Sequence, residues 1–131
     1  MLKIDTETMM IELTRGDSAS IVFSAVDKDG NPWNPTDGDE KLTFAVAKKW
    51  GGETLMEITN EFDPEDEDAL DKFWTINIER DSWLNGTADK FKFQDYVYDV
   101  QVLTSTGADT IIGQTDDITP TFRVLGEVAE E

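Results

Sequence analysis

The chain contains no cysteine and no histidine. Without cysteine there is no disulfide scaffold, no thiolate metal site and no cysteine nucleophile. Without histidine the commonest general base and the commonest zinc ligand are gone, and neither a Ser-His-Asp nor a Cys-His arrangement can be built. Cationic side chains are scarce: 11 Lys and Arg stand against 29 Asp and Glu, a formal net charge of −18. A phosphate backbone is repelled by such a surface, so nucleic acid is not expected as a partner, and an anionic membrane surface is disfavoured for the same reason. The charge keeps a chain soluble and suits a basic partner surface or divalent cations. Long apolar runs are also missing; none approaches the roughly 18 residues of a membrane helix. Met1-Leu2-Lys3-Ile4-Asp5 has neither the apolar stretch nor the small-residue cleavage site of a signal peptide, so the expectation is a cytoplasmic product, or one assembled inside a cell and released by another route. The 131 residues fit one domain, expected over 1–126, with a short acidic tail over 127–131.

What is present is a period of two. Met9, Ile11 and Leu13 alternate with Met10, Glu12 and Thr14. Ile21, Phe23 and Ala25 form a second run, Leu42, Phe44 and Val46 a third, Trp74, Ile76 and Ile78 a fourth. Tyr96, Tyr98, Val100 and Val102 alternate with Val97, Asp99, Gln101 and Leu103, and Phe122 and Val124 close the set. One apolar and one mostly polar face per run is the pattern of a half-buried strand. Turn residues separate the runs. Asp27-Lys28-Asp29-Gly30-Asn31 carries the Asp-Gly pair that favours a hairpin turn, and Pro32 and Pro35 place the next residues in a loop. Gly51-Gly52, Asn85-Gly86 and Thr106-Gly107 mark further turns. Pro64 to Leu70, capped by Asp63, is expected to be briefly helical, and Arg80 to Leu84 is long enough for one turn. The expected fold is all-β, an immunoglobulin-like antiparallel sandwich of about seven to nine strands with at most short helical turns.

Chemistry-bearing clusters are few. Glu61, Asp63, Glu65, Asp66, Glu67, Asp68 and Asp71 crowd one segment. Carboxylate oxygens suit calcium, and Asp63, Glu65 and Glu67 are candidate ligands there. An EF-hand loop counted from Asp63 would, however, have Asp68 where it needs glycine and Trp74 where it needs glutamate. Asp27, Asp29 and Asn31 have a similar spacing, which a tight turn with side chains bonded to local backbone also explains. No cofactor is otherwise expected. Trp33, Trp50 and Trp83 fall in loops or at strand ends, where indoles stack on sugars or anchor protein contacts; with Glu65, Asp66, Glu67 and Asp68, which suit a basic protein surface, they form the candidate interface. Trp74 belongs to the core pattern. Among so many acids no carboxylate pair is singled out for glycoside hydrolysis, and no enzyme is expected.

Taken in order, Ile11-Glu12-Leu13-Thr14-Arg15-Gly16-Asp17-Ser18, Asp29-Gly30-Asn31-Pro32, Leu42-Thr43-Phe44-Ala45-Val46-Ala47-Lys48-Lys49, Tyr96-Val97-Tyr98-Asp99-Val100-Gln101 and Phe122-Arg123-Val124 resemble the small β-sandwich proteins encoded among the virion structural genes of tailed bacteriophages and prophages. They also resemble the N-terminal domain of phage upper baseplate proteins. The resemblance spans nearly the whole chain, with a longer connection over Gly86–Asp95 and a more acidic Glu61–Asp71 segment than the pattern uses. It implies a non-enzymatic virion structural protein of the tail, baseplate or head surface. Its partners would be other virion proteins, or copies of itself in a ring, and no catalytic residues are implied. The alternative is an immunoglobulin-like module that binds a carbohydrate or cell-surface ligand through the loop tryptophans.

Overall fold

The computed structural model describes residues 2–5, 7–14, 17–27, 29–79, 93–113 and 118–125. Among these, eleven strands and one helix follow in order: β1 (Leu2–Asp5), β2 (Met10–Thr14), β3 (Ala19–Val22), β4 (Ala25–Val26), β5 (Pro32–Trp33), β6 (Lys41–Ala47), β7 (Thr54–Glu61), α1 (Ala69–Trp74), β8 (Thr75–Ile78), β9 (Phe93–Thr104), β10 (Gly107–Ile112) and β11 (Thr121–Leu125). The main sheet runs β1-β2-β11-β9-β6-β7, with β10 added to β9; β3–β8 and β4–β5 form two small sheets. The 12 residues of β9 are bonded along both edges. One edge meets β6, from Lys41↔Leu103 to Ala47↔Val97. The other meets β11 over Phe93–Val97 and β10 over Val100–Thr104.

The alternation sorts side chains as the period of two requires. Ile11, Leu13, Phe122, Val124, Tyr96, Tyr98, Val100, Val102, Leu42, Phe44, Val46 and Met56 of the main sheet are buried in one cluster with Ile21, Phe23, Phe73, Trp74, Ile76 and Ile78 from the opposite side. Phe44 lies among three rings, with centroids at 6.1 Å from Phe23, 5.6 Å from Tyr98 and 6.1 Å from Phe122, spacings at which aromatic pairs attract. The architecture is an all-β sandwich. On its outer face Glu12, Arg123 and Asp95 stand in register on β2, β11 and β9. The guanidinium makes a two-pronged contact with Asp95, Nε to Oδ1 at 2.7 Å and Nη2 to Oδ2 at 3.1 Å, and lies 3.8 Å from Glu12 Oε1.

Several local expectations are corrected. The β2–β11 pair is parallel, so the sheet is mixed rather than wholly antiparallel. The strand segments number eleven; two of them, β4 and β5, have only two residues, and β9 is answered along one edge by β11 and β10 in turn. Pro32-Trp33 is a short strand against Val26 and Ala25; proline is tolerated there because β5 is an edge. The helix starts at Ala69, and Trp74 ends it instead of starting a strand. Met9 sits in the β1–β2 turn with φ 58° rather than on a strand face. The helical turn expected over Arg80 to Leu84 and the tail over 127–131 lie outside the described residues.

Two side chains tie distant segments together. Asn60, on β7 opposite Leu42, donates from Nδ2 to the carbonyl oxygens of Lys72 at 3.1 Å, Phe73 at 3.1 Å and Thr75 at 2.7 Å. Carbonyls at a helix C-terminus have no partner within the helix, so this amide fastens the α1–β8 junction to the main sheet. Asn60→Ala is expected to cost about 1–3 kcal/mol, read as a lower urea midpoint with an unchanged slope.

The hydroxyl of buried Tyr98 donates to the carbonyl oxygen of Met9, holding a turn whose left-handed backbone is unfavourable for a residue with a side chain. Burial pushes the Tyr98 phenol from 10.0 up to about 12. The folded state therefore favours the neutral phenol: its contribution is complete below pH 10 and is lost as the pH rises through about 12. An alkaline urea series should show stability falling over that window, with a weaker fall in Tyr98→Phe, which also loses about 1–3 kcal/mol at neutral pH because the Met9 carbonyl is left unpaired.

Candidate functional site

Acidic residues in the turns are occupied by local backbone. Asp27 Oδ1 accepts the amides of Asp29 at 2.9 Å and Asn31 at 3.0 Å; Gly30, at φ 85°, completes the turn, and Asp27 N donates to Asn31 O at 2.8 Å. Asp29 and Asn31 thus contribute backbone amides to the β4–β5 turn. In the Glu61–Asp71 segment, Asp63 Oδ1 accepts Glu65 N at 3.0 Å and Asp66 Oδ1 accepts Asp68 N at 2.8 Å. Asp66 Oδ2 also takes Lys72 Nζ at 2.6 Å. The Lys72 hydrogen bond and then the Asp68 amide hold the Asp66 carboxyl below its ordinary range. These bonds make successive turns that lead into α1. Among the described residues no three acidic side chains converge as a metal site. Calcium or a chelator added to the metal-free protein is expected to leave the melting temperature unchanged; a rise with calcium would show a site that binds only the folded chain.

The candidate tryptophans are not brought together. Trp50 follows β6 at the end where Ala47 faces Val97, whereas Trp33 lies beside Val102 and Thr104, near the other end where Lys41 faces Leu103. Six residues of strand separate those levels, roughly 20 Å. Trp33 is half-buried and meets the Trp74 ring edge-on with centroids 6.1 Å apart, while Trp74 Nε1 donates to Asn34 Oδ1 at 3.0 Å. Trp83 lies outside the described residues. Glu65, Glu67 and Asp68 are exposed and Asp66 half-buried on the acidic turns, on a different part of the fold from Trp33.

Among the described residues there is a cleft of about 710 Å³ between the β4–β5 and β9–β10 hairpins. Ser24, Ala25, Val26, Asp27 and Trp33 line one wall; Val102, Thr104, Asp109, Thr110 and Ile111 line the other. It brings Asp27 and Trp33 from the candidate sets to Asp109 and Ile111, which the sequence reading passed over. The missed signal was weak: Gly107 to Ile112 follows a clear turn and ends in β-branched residues, but it lacks alternation, and its burial rises only at the end. A register shift between Thr110 and Ile112 leaves Ile111 unpaired to β9, as at a β-bulge, and Ile111 lines the cleft.

Chemically, the cleft offers an indole, aliphatic side chains, hydroxyls of Ser24, Thr104 and Thr110, and two carboxylates. No protein-family model, no curated protein and no solved structure matches this chain.

Proposed function

We propose that this chain is a non-enzymatic structural component of a bacteriophage or prophage virion, in the tail, baseplate or head surface, that acts by contact with other proteins. The observation that carries the reading is the order of the motif pieces and where they fall. Ile11 to Thr14 is in β2, Phe122 to Val124 is in β11, Tyr96 to Gln101 is in β9 and Leu42 to Val46 is in β6. These are four successive strands of the main sheet, so the pieces that carry the resemblance make one structural unit. Asp29-Gly30-Asn31-Pro32 forms the β4–β5 turn beside the cleft.

The absence of histidine and cysteine favours a binding role over the commonest forms of acid–base and nucleophilic catalysis. The carbohydrate reading draws less support. Trp33 and Trp50 sit at opposite ends of the sheet, and Trp33 is engaged by the Trp74 ring, so the described indoles do not form a stacking platform.

Particles induced from a strain carrying the gene should contain the chain as a stoichiometric component by mass spectrometry after gradient purification. Its gene should lie among structural genes. A chain absent from purified particles and encoded outside such a cluster would overturn the proposal.

A further inference from the structure

We propose that the cleft between the β4–β5 and β9–β10 hairpins receives an extended segment of a neighbouring protein that carries lysine or arginine and adds as a strand to the outer edge of β10. The inference rests on the assembly reading above and supplies the surface and the partner's chemistry.

The backbone of β10 is the first support. Among the described residues it is bonded to β9 alone, and in an antiparallel pair alternate residues direct N–H and C=O away from the partner strand. Such an edge is a template for another strand. The other long edge of the sheet, β7, is differently placed, because Asn60 on it is engaged by the α1–β8 junction.

The second support is the cleft beside that edge. Asp109, Thr110 and Ile111 of β10 all line it, with the Asp109 carboxylate and the Ile111 side chain supplying its charged and apolar groups on that strand. A strand laid along β10 presents alternate side chains to the cleft, so a basic residue opposite Asp109 is followed on that face by an apolar residue near Ile111, where the register shift before Ile112 breaks strict pairing. Ala25, Val26, Trp33 and Val102 supply apolar surface for the latter. Directly opposed unlike charges stabilise a cross-strand pair and like charges oppose it.

Charge is the third support. Among the described residues neither Asp27 nor Asp109 belongs to an ion pair, and a net charge of −18 draws basic segments toward the surface while repelling acidic ones.

The test uses the full chain labelled with nitrogen-15 and a short capped peptide, Thr-Lys-Thr-Val-Thr, which sets lysine and valine two residues apart on one face of a strand, with calorimetry for affinity. Amide resonances of Gly107 to Ile112 and the Trp33 indole should shift. Methylating alternate backbone nitrogens of the peptide, which keeps its charge but removes strand bonds, should weaken binding about ten-fold or more, and so should Asp109→Lys. The inference is overturned if the methylated peptide binds equally well, if shifts are confined to the Glu61–Asp71 turns, if no peptide binds, or if a panel of glycans and not the peptide moves the Trp33 signal. Particles that contain the chain, together with no peptide binding, would remove this inference alone. Binding by a chain absent from particles would keep the cleft and remove the assembly reading.

Discussion

Backbone pairing along both edges of β9 is the constraint on which the sheet depends. Its 12 residues carry the hydrogen bonds to β6 on one side and to β11 and β10 on the other, so β9 links the β1-β2-β11 part of the sheet to the β6–β7 part. Its side-chain alternation is then imposed on its neighbours. With Tyr96, Tyr98, Val100 and Val102 facing inward, the register sets Phe122 beside Tyr96 and Val46, Phe44 and Leu42 beside Tyr98, Val100 and Val102. A slip by one residue would turn this whole row toward solvent. Tyr98 extends the constraint to the β1–β2 turn through its hydroxyl.

The excess of acid would oppose a compact state if the carboxylates were merely spread over the surface, since like charges repel. Many of them sit in turns, where Asp27, Asp37, Asp63 and Asp66 each accept a nearby backbone amide. That use satisfies donors that irregular backbone would otherwise leave to water. The same acids that make the chain so negative therefore also specify where its strands end. Three of the scarce cations stand beside acids: Arg123 between Asp95 and Glu12, Lys72 on Asp66, Lys41 on Glu61. As exposed pairs they contribute little stability.

Core positions were legible wherever alternation met a buried face. Ile11 and Leu13, Ile21 and Phe23, Leu42, Phe44 and Val46, Ile76 and Ile78, Tyr96, Tyr98, Val100 and Val102, and Phe122 and Val124 all lie inside. What escaped were elements whose sequence carries no period. In β10 every residue through Thr110 is exposed, so burial imposes no pattern on it. β1 is an edge strand, and its Ile4 is 44% exposed. The helix start was displaced because acids and a proline suit a first helical turn and a run of Asx turns equally well; the apolar residues that helix packing needs, Ala69, Phe73 and Trp74, begin only later. The individual components of the cleft were partly legible: Asp27 and Trp33 stood out as residues. Their meeting with Asp109 and Ile111 is a tertiary fact, set by pairing of segments far apart in the chain.

The differing edges of the main sheet follow from the same physics. A long strand with one unpaired side invites association unless something interrupts it. On β7 the interruption is tertiary, the Asn60 amide fastened to the α1–β8 junction, together with the charges of Glu57 and Glu61 on the strand. On β10 it is local: six residues only, Asp109 among them, and a shift of register before Ile112. These devices discourage indiscriminate pairing, and a second copy of β10 would set Asp109 carboxylates near one another with nothing basic between them. They do not discourage a segment that brings a cation to Asp109 and an apolar side chain to Ile111. In the proposed docking, an edge of this kind would separate stray association from a matched contact through two side chains on one strand, Asp109 and Ile111, and not through the sheet as a whole.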